Sequence, residues 1–227
     1  SASPEEDGLK SQYSAQHQHA LHLSPAERAK LDARMNAFLA KVSSQNDYLL
    51  ADDSMECWRY LWDISRPSAR RDAGDDANHE DPASLGMLHT RVDIVTDNFG
   101  SELMADLALI HFLLDTHIAE TVFLHVKYHP TFVSDSTVAD VERMLEWMKD
   151  HDTQEDVRRM ATSLLDYILS ERLYVEAHTF WVSPRLFPEI PSSLSFFLST
   201  SQLLIIKGDA NYRRLVLDRK WPHTGSF

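Results

Sequence analysis

Residues 91–102, Arg-Val-Asp-Ile-Val-Thr-Asp-Asn-Phe-Gly-Ser-Glu, decide the fold of this chain. The first five residues are mostly apolar and predict a buried β-strand, which Asp97 and Asn98 follow after Thr96. Gly100 then permits a tight turn, and Ser101 and Glu102 begin a helix with a buried leucine stripe. A strand, a pair of polar side chains and a helix N-terminus, in that order, are typical of ligand sites in open α/β sheets.

The same alternation of strands and helices continues along the chain. Apolar strands are predicted at Thr121–Lys127 and Gln202–Lys207, and the second, being the most apolar, is predicted to be central. Helices are predicted at about 137–149, 154–169 and 192–198, and residues 173–181 have strand-like composition. This order predicts an α/β fold with a Rossmann-like, mainly parallel sheet that is flanked by helices.

Three regions are distinguished by composition. Residues 1–64 predict a helical N-terminal region, with one helix beginning at the capping residue Ser24 and another at Ser54. Residues 65–89 are rich in Asp, Ala, Arg and Pro and predict a linker or mobile loop. Residues 90–227 form the α/β domain that carries the candidate metal-binding and catalytic residues.

The overall composition excludes several classes of function. Hydrophobic residues make up 43% of the chain and charged residues 25%, as in an ordinary globular protein. The net charge of -13 argues against nucleic acid or an anionic membrane as a partner. No apolar run is long enough to span a membrane, and the single cysteine, Cys57, indicates a reducing compartment. We therefore expect a cytoplasmic or nuclear protein, and no pattern indicates an obligate protein partner.

Polar residues follow two of the predicted strands closely enough to bind one cation. Asp97 and Asn98 end the first strand, and Asp135 follows the second after a short loop. The carboxyl ends of parallel strands meet at one edge of the sheet. Carboxylate and amide oxygens are the ligands that Mg²⁺ and Mn²⁺ prefer. The alternative interpretation is that the first pair forms only a turn and that Asp135 caps the next helix.

The last predicted strand supplies candidates for binding a phosphate group. Lys207 and Arg213 carry the positive charges, and backbone N–H groups around Gly208 can help. Asp209 has the same alternative interpretation, as the cap of the helix that follows.

Three motifs in this sequence resemble those of the damage-control phosphatase family. They are residues 97–103, Asp-Asn-Phe-Gly-Ser-Glu-Leu, residues 129–135, His-Pro-Thr-Phe-Val-Ser-Asp, and residues 207–215, Lys-Gly-Asp-Ala-Asn-Tyr-Arg-Arg-Leu. The branch with the greatest resemblance contains the acidic-residue methyltransferase-like proteins, and the resemblance extends from Arg91 to Phe227. It implies a metal-dependent phosphatase that acts on small phosphometabolites, with fructose 1-phosphate as a typical substrate.

The resemblance also implies roles for individual residues. Asp97, Asn98 and Asp135 match the metal ligands, which are expected to hold Mn²⁺, with Mg²⁺, Ni²⁺ and Co²⁺ as alternatives. The nucleophile is left open between a water activated by the cation and Asp97 itself. The substrate-contacting positions of the family are matched by Glu102, Asp209, Asn211, Tyr212 and Arg213.

One departure from the family keeps two further hypotheses open. An Arg-Thr-x-Lys motif, whose lysine contacts the substrate phosphate in this branch, is absent from the sequence, and we expect the chain to be truncated at both ends. A truncated, non-catalytic relative that still binds metal is therefore the first alternative. An S-adenosylmethionine-dependent carboxyl methyltransferase is the second, although a glycine-rich first loop is lacking.

Overall fold

The computed structural model of the 227-residue chain describes residues 52–65, 90–150 and 155–222. Helices and strands alternate through the part after residue 90, as the sequence predicts. The elements are α1 (Ser54–Ile64), β1 (Arg91–Val95), α2 (Ser101–Asp115), β2 (Thr121–Lys127), α3 (Val138–Asp150), α4 (Glu155–Leu169), β3 (Leu173–His178), 3-10 turns at Thr179–Val182 and Phe187–Glu189, α5 (Ser192–Ser199), β4 (Leu203–Ile206) and α6 (Asp209–Leu215).

The four strands form one parallel sheet in the order β3-β2-β1-β4. The helices α2, α3 and α4 pack on β2 and β3, so the prediction of a parallel sheet flanked by helices is confirmed. Side chains alternate between the two faces, and on one face Val92 and Ile94 of β1 are fully buried. The opposite face packs against α5 and the first 3-10 turn, through a cluster that includes Val95, Trp181 and Leu198.

The prediction that the strand near Gln202–Lys207 is central is wrong for the described sheet. β4 lies at one end of the strand order, and its four residues are only half-buried. A continuous apolar run predicts a strand with both faces covered, but it does not determine the position of that strand in the sheet. The central positions belong to β1 and β2, which also carry the polar residues Asp93 and His125.

The predicted strand-like segment at 173–181 is shorter in the structure. β3 ends at His178, whose Nδ1 accepts a hydrogen bond of 3.0 Å from the backbone N–H of Phe180. The chain then turns through a 3-10 segment that buries Phe180 and Trp181 in the core. Aromatic residues favour strands in general, but here a side-chain cap and core packing override that preference.

The chain separates into two compact units, Ser1–Trp58 and Arg59–Phe227, with the boundary inside α1. Of the first unit, the structure describes only residues 52–58. The helix predicted from Ser24 lies outside the described residues, and so does the loop predicted at 65–89, apart from Ser65. None of the described helices has both the length and the apolar character that crossing a membrane requires.

A buried ionic network lies on the face of the sheet that α5 covers. Both oxygens of Asp93 accept hydrogen bonds of 2.7 Å from Arg91, and Nε2 of His125 lies 2.6 Å from Oδ1. The Arg91 guanidinium is also 4.0 Å and 3.9 Å from the ring centres of Phe123 and Phe197. Burial by itself would raise the pKa of Asp93, but hydrogen bonds with His125 and Arg91 hold it below its ordinary value of 3.8.

We expect Asp93→Asn to lower the free energy of unfolding by about 3–5 kcal/mol at neutral pH, because it leaves the largely buried guanidinium of Arg91, which is 14% exposed, without its anion. In the wild type, the contribution of Asp93 is complete above pH 3.8 and is lost as the pH falls through the lower folded-state pKa. Urea unfolding at neutral and acidic pH measures both effects, with Asp150→Asn on the exposed end of α3 as the control. Equal stability of the two variants at neutral pH would contradict the prediction.

Candidate functional site

Backbone contacts bring the three predicted cation ligands together at the carboxyl edge of the sheet. Asn98 forms an isolated antiparallel β-bridge with Asp135, although the two residues lie 37 positions apart in the chain. The backbone N–H of Ser136 also donates to the carbonyl oxygen of Asp97, over 2.9 Å. The loop that follows β2 is therefore fastened to the loop that follows β1, and the ligand-type side chains lie at their junction.

Hydrogen bonds fix the orientation of the Asn98 side chain. Nδ2 donates to Oδ2 of Asp97 over 3.1 Å and to Oε2 of Glu102 over 2.9 Å. Oδ1 accepts a hydrogen bond of 2.7 Å from the hydroxyl of Ser134, the residue that precedes Asp135. The amide oxygen of Asn98 is thus turned toward the segment that carries Asp135, and its second lone pair remains for a ligand.

Asp135 is 4% exposed and organises the loop that precedes it. Its Oδ2 accepts hydrogen bonds of 2.9 Å from the backbone N–H groups of Thr131 and Phe132. The start of the next helix is capped by Asp140, which accepts from both the backbone and the hydroxyl of Thr137. The alternative interpretation of Asp135 as the cap of α3 therefore does not account for its position.

Gly208 packs directly against the carboxylate of Asp97. The chain leaves β4 through a hydrogen bond of 3.1 Å from the backbone N–H of Lys207 to the carbonyl oxygen of Val95. A Cβ atom at residue 208 would overlap Cγ of Asp97 and lie 2.5 Å from each carboxylate oxygen. Gly208 also has a φ of 92°, in the region that favours glycine. Glycine is therefore required here both for the turn and for the space that Asp97 occupies.

Lys207 lies between two carboxylates of α2. Its Nζ is 2.8 Å from Oε1 of Glu102 and 2.7 Å from Oδ1 of Asp106. The two acids are four residues apart and share one face of the helix. The sequence predicts that Lys207 binds a phosphate group. In the structure, its ammonium group contacts Glu102, which in turn accepts a hydrogen bond from Asn98.

The ionisation of this cluster follows from burial and from mutual contact. Burial raises the pKa of Asp106, because the favourable contact with Lys207 only partly offsets the loss of solvent. For Glu102, burial would also raise the pKa, but hydrogen bonds from Lys207 and Asn98 lower it below the ordinary value. Desolvation would lower the pKa of Lys207, and its two carboxylate partners raise it instead. Glu102 and Lys207 thus stabilise each other in their charged forms.

Lys127, at the end of β2, is a site residue that the sequence interpretation missed. Its side chain is 2% exposed, and its Nζ lies 3.5 Å from Oδ1 of Asp97. Among the described residues, Asp97 is its only carboxylate partner within 4.0 Å. A lysine at the end of an apolar strand was the available signal, since lysine is rarely buried unless its charge is paired. The carboxylate of Asp97 therefore has the buried ammonium group of Lys127 beside it.

The predicted substrate-binding residues on α6 differ in their exposure to solvent. Asn211 is fully buried, and its Nδ2 donates to the carbonyl oxygen of Lys207 over 2.7 Å. Asp209 and Tyr212 are exposed. Arg213 is exposed too, and its guanidinium binds Asp218 through two hydrogen bonds of 2.9 Å. Of the predicted set on this helix, only Asn211 is built into the interior.

The neighbouring arginine, Arg214, points inward, and the sequence interpretation did not single it out. Its Nη1 donates to Oδ1 of Asn211 over 2.7 Å. Its Nη2 donates to the carbonyl oxygens of Trp181 and Ser183, over 3.1 Å and 2.8 Å. Two consecutive arginines offer no sequence signal that tells the inward residue from the outward one.

The chemistry of the donor atoms fits a hard divalent cation. The described residues hold no cluster of three His, Cys, Asp or Glu side chains that suits a metal. The candidate set instead combines two carboxylates, Asp97 and Asp135, with the amide oxygen of Asn98. The Asp135 side chain accepts two hydrogen bonds from described residues, and both go to Oδ2. Its other oxygen, Oδ1, is therefore the one that can coordinate a metal ion. Oxygen ligands in this combination suit Mg²⁺ or Mn²⁺ and leave coordination positions for water and substrate.

Comparison with known proteins gives the same assignment as the motifs. The family model described as the damage-control phosphatase ARMT1-like domain matches residues 27–226 of the chain. The chain is 34% identical over 186 residues to "Damage-control phosphatase ARMT1" of Danio rerio, a match that covers 79% of this chain and 37% of that protein. It is 38% identical over 140 residues to the protein of the same name from Rattus norvegicus, covering 60% of the chain and 32% of the relative.

A third relative extends the match along the chain. The Xenopus tropicalis protein of the same name is 31% identical over 197 residues, which covers 84% of this chain and 40% of that relative. The chain thus matches between about a third and two-fifths of the length of these curated relatives.

Proposed function

This chain belongs to the damage-control phosphatase ARMT1-like domain family, and on that premise we propose that it is a phosphatase for small phosphate esters that depends on a divalent cation. One observation carries the proposal, namely the convergence of Asp97, Asn98 and Asp135 at the carboxyl edge of the sheet. The relatives are named as damage-control phosphatases, which supports a role in removing unwanted phosphometabolites.

In this proposal, Asp97, Asn98 and Asp135 hold the cation, with Mn²⁺ expected first and Mg²⁺, Ni²⁺ and Co²⁺ as alternatives. The cation supplies Lewis-acid stabilisation of the charge that develops on the phosphoryl oxygens. Glu102 and Lys207 keep the Asn98 amide oxygen directed at the cation through their chain of contacts. Lys127 balances the negative charge of Asp97 from the protein side.

We propose small sugar phosphates as the substrates, with fructose 1-phosphate as the first to test. A sugar phosphate needs hydrogen-bonding groups beside the phosphate site, and the exposed ends of Asp209 and Tyr212 on α6 can supply them. The net charge of -13 also agrees with a cation that mediates contact between an acidic protein and an anionic substrate.

Phosphate release from fructose 1-phosphate, followed with and without added Mn²⁺, tests the proposal. We expect release that depends on the added metal, that chelation abolishes and that Mn²⁺ restores. Mn²⁺ binding without turnover on a panel of sugar phosphates would favour the non-catalytic, metal-binding relative. Micromolar binding of S-adenosylmethionine in calorimetry would favour the methyltransferase instead.

A matched pair of variants at Glu102 tests how the Asn98 ligand is oriented. Glu102→Gln retains an oxygen that accepts from Nδ2 of Asn98, whereas Glu102→Leu removes it. We expect Glu102→Leu to weaken Mn²⁺ binding by about 10–100-fold, the usual effect of losing a group that orients a metal ligand. Glu102→Gln should weaken it less. Calorimetric titration with Mn²⁺ measures both, and equal affinities for the two variants would contradict this role of Glu102.

A further inference from the structure

Arg214 links α6 to the 3-10 turn that follows β3. Through Nη1 it holds the side-chain oxygen of Asn211 at 2.7 Å. Through Nη2 it holds the carbonyl oxygens of Trp181 and Ser183, 33 and 31 residues away in the chain. Three hydrogen bonds from one half-buried guanidinium fix its plane, because the donor geometry of arginine is rigid. Arg214 is therefore a preorganised cation.

Asn211 is fixed from both ends as a result. Its Nδ2 donates to the carbonyl oxygen of Lys207, and its Oδ1 accepts from Arg214. The side chain is fully buried, so an amide that lost either partner would have to find a new one or remain unsatisfied. Nδ2 also donates to the carbonyl oxygen of Thr96, over 3.5 Å, so the hydrogen bond from Arg214 is one of three that determine which way this amide faces.

Arg214 is joined to the acidic edge of the sheet through Asn211, whose Nδ2 donates over 3.5 Å to the carbonyl oxygen of Thr96, the residue before Asp97. Burial lowers the pKa of Arg214, and the carboxylates of Asp135 and Asp97 oppose this by raising it. Arg213, the neighbouring arginine, is exposed and is neutralised by its two hydrogen bonds with Asp218. Of the two arginines, Arg214 is therefore the one that hydrogen bonds connect to the acidic edge of the sheet.

We propose that Arg214 is a positioning residue for an anionic ligand, one that fixes Asn211 and supplies a positive charge beside Asp97 and Asp135. The inference rests on the proposed function, since it takes the ligand to be the phosphate group of the substrate. It names Arg214, in place of Arg213, as the arginine on which phosphate binding depends.

The two ligands of the site respond to this charge in opposite directions. A fixed positive charge beside two carboxylates repels a divalent cation and attracts a phosphate dianion. Removing it should therefore weaken phosphate binding while leaving Mn²⁺ binding unchanged or tighter. Local unfolding would instead weaken the binding of both ligands, so the pair of measurements separates a charge effect from structural damage.

The experiment compares Arg214→Met, Arg214→Lys and Arg213→Met in the full chain. Calorimetry measures the dissociation constant of Mn²⁺, and then that of inorganic phosphate at saturating Mn²⁺. We expect Arg214→Met to weaken phosphate binding by about tenfold or more, the usual scale of one charge-assisted contact. Arg214→Lys should recover part of the loss, because it retains the charge but lacks the fork that binds Asn211. Arg143→Met, at an exposed position of α3, is the control for loss of an arginine.

Three results would overturn the inference. The first is weakened binding of both ligands in Arg214→Met, which would show a structural role alone. The second is a larger loss of phosphate binding in Arg213→Met than in Arg214→Met. The third is a wild-type protein that binds Mn²⁺ but not inorganic phosphate. A wild type that binds both ligands and hydrolyses no sugar phosphate would contradict the proposed function while leaving the Arg214 comparison decisive.

Discussion

Asp97→Asn is expected to reduce metal-dependent phosphate release by about a thousandfold, the upper end of the loss for one electrostatic contact in an active site. The substitution keeps the shape of the side chain and removes its charge. Asp97 contacts both Asn98 and Lys127, and its backbone carbonyl holds the loop that carries Asp135. Steady-state phosphate release with saturating Mn²⁺ measures the effect.

A second substitution separates the loss of function from the loss of stability. Asp97→Asn leaves the ammonium of Lys127 buried without its anion, which should cost about 3–5 kcal/mol of unfolding free energy. Adding Lys127→Met removes that unpaired charge, so the double variant should regain much of the stability. It should not regain activity, because the carboxylate is still missing. Activity that returned together with stability would mean that Asp97 acts only through folding.

Gly208→Ala is expected to lower Mn²⁺ affinity and activity by about a hundredfold, because the new methyl group would occupy the space of the Asp97 carboxylate. Either Asp97 or the turn before α6 must then move, and a displacement of about 1 Å at a reacting group can cost that factor. The φ of 92° at this residue adds strain for any side chain. Calorimetry with Mn²⁺ and the phosphate-release assay measure the two losses.

Gly100→Ala is the matched control, since it separates backbone strain from steric overlap. Gly100 also has a positive φ, of 87°, but a Cβ atom there would meet nothing within 4 Å. Alanine at residue 100 should therefore carry only the conformational cost of about 1–3 kcal/mol, since a φ of 87° with a ψ of -135° is a region that side-chain-bearing residues rarely adopt. We expect a lower melting temperature with a much smaller loss of Mn²⁺ affinity. If the two alanine variants lost Mn²⁺ affinity equally, strain rather than contact with Asp97 would explain both.

The placement of the candidate residues that lie close to strand ends was predictable from the sequence. Asp97 and Asn98 follow an apolar strand after Thr96, and the parallel arrangement then places Asp135 at the same edge of the sheet. The bridge between Asn98 and Asp135 agrees with that expectation. The pattern alone left a turn as the alternative for Asp97 and Asn98 and a helix cap as the alternative for Asp135, and the hydrogen bonds of Asp135 and Asp140 argue against the cap.

The orientation of charged residues was not predictable in the same way. Successive residues of a helix point about 100° apart, and in the structure Arg214 points inward while Arg213 is exposed and binds Asp218. The helix α6 is only seven residues long, and no apolar stripe in the sequence sets its rotation. Lys207 has the same difficulty: its role depends on Asp106, a helix residue that lies 101 positions earlier in the chain. Pairings of this kind are fixed by tertiary packing.

The position of β4 shows the same limit for the fold. Its four apolar residues indicated a strand correctly, but its place in the sheet depends on which strands pair with it. β1 pairs with both β2 and β4, and this makes β1 central although Asp93 interrupts its apolar pattern. That aspartate is accommodated by Arg91 and His125, which come from the same strand and from its neighbour β2.

The central claim is that Asp97, Asn98 and Asp135 together hold one divalent cation. Anomalous diffraction from a crystal soaked in Mn²⁺, recorded at the manganese absorption edge, tests it most directly. The account predicts a single strong anomalous peak between the carboxylates of Asp97 and Asp135 and the amide oxygen of Asn98, and no peak there in a crystal of Asp97→Asn. A strong peak elsewhere, with none between these three side chains, would contradict it.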